Sequence, residues 1–149
     1  MCYISEKGNT KNMQLIRFGV SLPDHLIKRF DRLIRRKKYP NRSEAIRDLI
    51  RHTLVEEEIE NDAEIVGVLT LLYNHHQREL QDRLGRVQHD HHDRILSTTH
   101  VHLDHDNCLE VVLLRGRAGQ IKQLADEIIA LKGIKHGQLY RTSTGKNLS

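Results

Sequence analysis

Three residues stand close enough in this chain to act as one ligand set: His100, His102 and, a short connection later, Cys108. If His100 and His102 lie on a strand, their imidazoles point to one face with Cα atoms about 7 Å apart, near enough to share an ion. A tight Asp104-His105-Asp106-Asn107 connection would then return Cys108 beside them on the next strand. A thiolate with two imidazoles is a borderline-soft donor set, which disfavours calcium and magnesium and leaves zinc, copper, nickel or iron. A fourth ligand is required, and the candidates are His75, His76, His89, His91, His92 and His105. Four tetrahedral donors would suit zinc, whereas a planar set of nitrogen and sulfur would suit nickel(II) or copper(II). Residue types and spacing leave both open.

The elements around these residues follow from hydrophobic period. Ile65 to Tyr73 is an apolar, β-branched run fit for a buried strand. His76 to about Val87 reads as a polar helix with a stripe of Leu80, Leu84 and Val87. Ile95 to Asp104 and Cys108 to Leu114 read as a hairpin. Ile121, Leu124, Ala125, Ile128 and Ile129 mark a helix closed by Gly133, and Ile134 to Arg141 fits a last strand. The order βαββαβ predicts a ferredoxin-like, four-stranded antiparallel sheet with both helices on one face.

Upstream of it the chain changes character. Residues 1–52 hold 13 Lys/Arg against 5 Asp/Glu, while residues 53–149 hold 11 against 15, so a formal charge of +4 conceals a strongly basic end suited to a polyanion. Residues 1–13 are polar and aperiodic and read as a mobile arm. Ile16, Phe18, Val20 and Leu22 alternate with Arg17, Gly19 and Ser21, which predicts a short strand with one apolar face. Pro23 suits the first turn of a helix carrying Leu26, Ile27, Phe30, Leu33 and Ile34 on one side and five basic residues on the other. Tyr39-Pro40-Asn41 breaks that helix, and Asn41 with Glu44 reads as a capping box opening a second one. The acidic run Glu56 to Asp62 is a hinge or a helix extension. A strand and two helices of about forty residues cannot fold alone, so two copies must pair their strands into a ribbon. Such a ribbon fits the DNA major groove, with Arg17, Gly19 and Ser21 outward.

The βαα unit resembles the ribbon-helix-helix repressors, above all in RSEAIR at Arg42 to Arg47. In that family the start of the second helix, here Asn41, Arg42 and Ser43, clamps a phosphate, in agreement with the affinity of helix N-termini for anions. Joined to QHDHHD at Gln88 to Asp93 and THVHLDHDNCLE at Thr99 to Glu110, it is similar to the nickel-responsive regulators of bacteria and archaea. The resemblance implies an α+β chain: an N-terminal ribbon-helix-helix domain over 14–57, a C-terminal ferredoxin-like domain of ACT type over 62–141, and a tail over 142–149. It implies square-planar nickel(II), one per subunit, held by His100, His102 and Cys108 of one subunit and His89 of the neighbouring one. It implies a homotetramer, a dimer of dimers, binding a palindromic double-stranded operator, and mainly repressing nickel-uptake or nickel-enzyme genes. Asp90 interrupts a run of four histidines common in the family, and Gly19 departs from the family's outward strand residues. Gln88 and Glu110 are expected to orient ligand imidazoles or tie the site to the next subunit. Glu44 and Asp48 match family positions linked to a further cation. Surplus histidines at 75, 76, 91, 92 and 105, where family members vary, are candidates for weak binding of further nickel or for alternative sites.

Two rivals come from other classes. His100-Val-His102-Leu-Asp104-His105 has the H-x-H-x-D-H form of zinc hydrolases of the metallo-β-lactamase type, which need more ligands far downstream, and only 44 residues follow His105. The other is an antitoxin-like ribbon-helix-helix repressor that binds DNA without metal. The reading adopted is a regulator and no enzyme, without a small-molecule substrate. Two cysteines, Cys2 and Cys108, build no disulfide framework, and no apolar run could span a membrane, so a cytoplasmic setting is expected.

Overall fold

The computed structural model describes residues 14–148. The expected arm over residues 1–13, Cys2 within it, lies outside them. The chain divides into two units between Glu44 and Ala45, inside a helix and upstream of the 57/62 boundary expected from the sequence.

In the first unit, α1 spans Asp24–Lys37. Pro23 sits just ahead of it, with its carbonyl accepting from the amides of Leu26 at 3.0 Å and Ile27 at 3.1 Å. The helix ends on Lys38 in the left-handed region (φ 59), which lets the Tyr39 amide reach back to the Ile34 carbonyl at 3.1 Å. Helix α2, Arg42–Glu60, opens as its capping residue requires: the Glu44 amide donates to Asn41 Oδ1 at 2.9 Å. The strand expected over 16–22 is not formed in the single chain. A strand exists only through a partner, and the expected partner was a second copy of the same segment.

In the second unit α2 runs on through the acidic stretch to Glu60, so that stretch is helix rather than hinge. Asp62, at φ 53, turns the chain, and its Oδ1 accepts from the Gly119 amide at 2.7 Å, tying this turn to the start of α4. Then follow β1 Glu64–Asn74, α3 Arg78–Asp90, β2 Ile95–His102, β3 Asn107–Arg117, α4 Ala118–Ile129 and β4 Ile134–Ser143. The sheet order is β2-β3-β1-β4 with every neighbouring pair antiparallel, the ferredoxin-like arrangement the pattern predicted. Alternate residues of the two central strands are buried, Ile65, Leu69, Leu71 and Tyr73 on β1 and Cys108, Val112 and Leu114 on β3. They pack with Leu80 and Leu84 of α3 and Ile121, Leu124, Ala125 and Ile128 of α4 in one core. Gly133 takes φ 108 where α4 turns into β4, a backbone state that other residues rarely adopt. No helix among the described residues is long and apolar enough to cross a membrane.

Close packing of α4 on the sheet depends on Gly67. A Cβ there would stand 2.8 Å from Ile121 Cγ2 and 3.1 Å from Leu139 Cδ1. Gly67→Ala should therefore destabilise the C-terminal unit by about 1–3 kcal/mol, lowering the thermal midpoint by several degrees in a melt followed by circular dichroism.

Candidate metal centre and nucleic-acid interface

Strand register assembles the ligand set. Across β2 and β3, His102 stands opposite Cys108 and His100 opposite Glu110; across β3 and β1, Cys108 stands opposite Tyr73. Residues directly opposite share a face, so His102, Cys108 and Tyr73 form one row and His100 and Glu110 the next. Cys108, Tyr73 and Glu110 are buried, which puts this face on the helix side of the sheet. The two imidazoles belong to edge strand β2 and are exposed, with ring centroids 5.3 Å apart. Tyr73 meets the His100 ring edge-on at 5.9 Å.

The hairpin turn is closed by Asp104. Its Oδ1 accepts from the amides of Asp106 at 2.9 Å and Asn107 at 2.7 Å, and its Oδ2 from Asn107 Nδ2 at 2.9 Å. These bonds, those from Asn107 foremost, hold the Asp104 carboxyl down to about 2. The carboxylate is a turn staple with both oxygens engaged, which argues against the two-zinc hydrolase, where it would be a ligand.

The Cys108 thiol is free and wholly buried. Burial raises its pKa above the usual thiol range, the Tyr73 hydroxyl pulls it down and the Glu110 charge adds to the rise. A thiol held this way becomes a metal ligand only by losing its proton. One polar group organises the surroundings. Glu110, 5% exposed, accepts from Tyr73 OH at 2.5 Å on one oxygen and from Gln88 Nε2 at 2.5 Å on the other. Burial, followed by that bond, drives the tyrosine far above its ordinary pKa, so it serves as a donor. Gln88 precedes His89 in the last turn of α3, and Glu110 thereby ties the Cys108 strand to the end of the helix that carries His89. His89 is exposed and its ring lies near that of His92, centroids 6.1 Å apart.

Two of the surplus histidines form a second cluster with Asp106, a residue that the sequence offered only as part of the hairpin connection. His76, His105 and Asp106 place their donor atoms within 4.8 Å of one another, the group among the described residues that is closed in this way; His100, His102 and Cys108 share a face without that closure. His76 Nε2 lies 2.9 Å from the His105 carbonyl oxygen and 3.8 Å from Asp106 Oδ1. His75 lies between the two groups, its ring centroid 4.2 Å from that of His76 and 4.4 Å from that of His102. Its Nδ1 is buried without a hydrogen bond, and burial, with neighbouring imidazoles, lowers its pKa.

At the basic end, Arg17, Gly19 and Ser21 are exposed, and a Cβ at Gly19 would meet nothing within 4 Å. Conformation therefore does not demand glycine at that position. The same stretch bares its apolar set, Ile16 at 81%, Phe18 at 69% and Val20 at 62%, a large hydrophobic surface for a single chain. At the start of α2 the geometry divides the expected phosphate clamp. Arg42 is already committed, since Nε and Nη2 donate to the two oxygens of Asp31, each at 2.8 Å, while Asn41 Oδ1 accepts from the Glu44 amide. The bidentate pair lowers the Asp31 pKa and raises that of Arg42. What remains to meet an anion there is the first-turn amides of Arg42 and Ser43, the Ser43 hydroxyl and the Asn41 side-chain NH2.

Comparison with known proteins gives two family matches. Residues 66–142 match the model described as NikR C terminal nickel binding domain, and residues 16–57 match that described as Ribbon-helix-helix protein, copG family. Relatives named as nickel-responsive regulators are similar along most of their length. One from Desulfovibrio desulfuricans is 56% identical over 135 residues, 91% of this chain and 98% of its own. Another from Geotalea uraniireducens is 56% identical over 136 residues, again 91% and 98%. A third, from Caldanaerobacter subterraneus, is 53% identical over 143 residues, 95% of this chain and 93% of its own.

Proposed function

Since this chain belongs to the family of nickel-responsive regulators, we infer that it is a transcription regulator that binds double-stranded DNA when it holds nickel, and not an enzyme. The observation that carries this reading is the pairing of His102 with Cys108, with His100 on the same face, in a chain that begins with a ribbon-helix-helix segment. The donor chemistry fits: imidazoles and a thiol suit a late first-row ion. His100, His102 and Cys108 of one copy, with His89 of a neighbouring copy, would hold nickel(II), one per subunit. Bound there, nickel supplies coordination bonds that cross-link α3 of one copy to the β2–β3 hairpin of another.

The chain's own residues prepare that arrangement. Glu110 holds the end of α3 through Gln88, and the neighbouring His89 is exposed, as a ligand donated to another copy must be. Asp104 fixes the turn, so that His102 and Cys108 stay in register. The exposed apolar face at Ile16, Phe18 and Val20 is what pairing two copies into a ribbon would cover. Arg17 and Ser21 then reach base edges and the α2 amides a phosphate. Four copies, as a core of C-terminal units flanked by two DNA-gripping pairs, would meet two halves of a palindromic operator, acting mainly as a repressor of nickel-uptake or nickel-enzyme genes in the cytoplasm. By linkage, DNA must tighten nickel binding by the factor that nickel tightens DNA binding.

A nickel titration tests this. The first equivalent per chain should raise a thiolate-to-nickel absorption band, and retention of a promoter fragment in gels should appear in step with it. Equal retention with a chelator present would overturn the reading in favour of a metal-independent repressor. Arg17→Ala should keep the absorption band and lose about 10- to 100-fold in operator affinity, the 1–3 kcal/mol of one bidentate base contact.

A further inference from the structure

Beyond β4 the chain does not leave the C-terminal unit. Gly145, at φ 84, turns it, with its amide donating to Ser143 Oγ at 3.0 Å, and residues 146–148 then run back over α2. Three contacts hold them. Asn147 Nδ2 donates to Glu58 Oε1 at 3.1 Å, and Arg51 Nε donates to the Leu148 carbonyl at 2.9 Å. Lys146 Nζ lies 3.7 Å from Glu64 Oε2, at the start of β1. Leu148 is half-buried and lines a groove with Val55 and Ile59 of α2 and Leu139 of β4. Arg51, Val55, Glu58 and Ile59 fall at helical spacing, so one face of α2 receives the whole segment. The Ser143 hydroxyl and the Asn147 amide hold the Glu58 carboxyl below its usual range, and Oε2 is shut off from water without a hydrogen bond of its own. The charges also match, with the tail lysine Lys146 against Glu64 at the start of β1.

We propose that residues 144–148 form a strap that pins the C-terminal half of α2 to the sheet of the metal-binding unit. Helix α2 is the element that passes from one compact unit into the other. A helix free to fray at its second half would pass little of the order imposed by metal binding on to the DNA-gripping segment; a strapped one passes more. This consequence for DNA rests on the function proposed above, whereas the strap itself does not. The strap lies past residue 142, where the match to the nickel-binding family model ends.

The test compares the full chain with a chain ending at Thr144 and with the full-length double variant Glu58→Ala, Asn147→Ala. Hydrogen exchange by mass spectrometry should rise about tenfold or more at amides 51–60 in both, with exchange in β1 and β3 unchanged. The nickel absorption titration should stay within twofold. With a DNA fragment selected from random sequence by the nickel-loaded full chain, binding should weaken about five- to tenfold. Unchanged exchange at 51–60, or a rise spread over the whole sheet, overturns the strap. Raised exchange at 51–60 with undiminished DNA affinity overturns its role in coupling. A full chain that binds no nickel refutes the regulator reading and leaves the exchange comparison standing.

Discussion

Cys108→Ala is expected to yield a folded protein that no longer answers to nickel. The side chain is fully buried but small, so its loss should cost about 1–2 kcal/mol and a few degrees of thermal midpoint. The effect on the metal is of another order. Without the thiolate the site keeps imidazoles alone, and nickel affinity should fall on the order of 100-fold or more, with the visible thiolate band gone. Operator binding should then be the same with nickel and with chelator. Titration by absorption and a gel-retention series at fixed salt would measure both. A Cys108→Ala protein that retains nickel-dependent DNA binding would refute the assignment, because His102 faces no other thiol across the hairpin.

Glu110→Ala should cause the largest loss of stability. It removes the acceptor shared by the Tyr73 hydroxyl and the Gln88 amide in a buried setting, leaving two donors without partners. Each orphaned donor costs about 1–3 kcal/mol, so a total near 2–4 kcal/mol is expected once some relaxation is allowed. A chemical denaturation curve would give the value. The same variant also frees the end of α3 that carries His89, and nickel affinity should drop about 10- to 100-fold, as for groups that orient a ligand. Two single variants separate the effects. Tyr73→Phe should carry mainly the stability loss, since it leaves Gln88 bound to Glu110. Gln88→Ala should add the loss of nickel affinity to a stability loss of its own, since Gln88 lies near the helix end and its removal leaves one oxygen of the buried Glu110 without a donor. Equal effects of the two variants on nickel would show that Glu110 acts by holding the core together, not by holding α3.

Much of this molecule was legible as a string of residues because its signals are local. Period two and period 3.6 place the β strands and helices of the C-terminal unit, since each element must bury one face. The H-x-H spacing puts two imidazoles on one side of a strand whatever surrounds it. The Asn41 and Glu44 pair opens a helix by a bond that spans three residues, and the structure contains that bond. The 16–22 strand was read from the same kind of signal, yet one chain alone does not form it, because hydrogen bonding between strands is not local.

What tertiary structure alone decided depends on contacts between residues far apart in the chain. Which residue faces Cys108 is a question of register, and register brought in Tyr73, a residue with no motif to announce it. That Glu110 joins β1, β3 and α3 follows from burial, which leaves a carboxylate no water and forces it onto whatever donors the fold supplies. Arg42 looked free for phosphate until Asp31, eleven residues away, came within 2.8 Å of it. The tail carried no pattern at all, and its contacts with Arg51 and Glu58 arise because β4 happens to end beside α2. Sequence thus determined which groups are able to bind metal and DNA; the packing of sheet on helices determined which of them are held ready, since only a folded chain can remove water from a side chain and name the partner that replaces it.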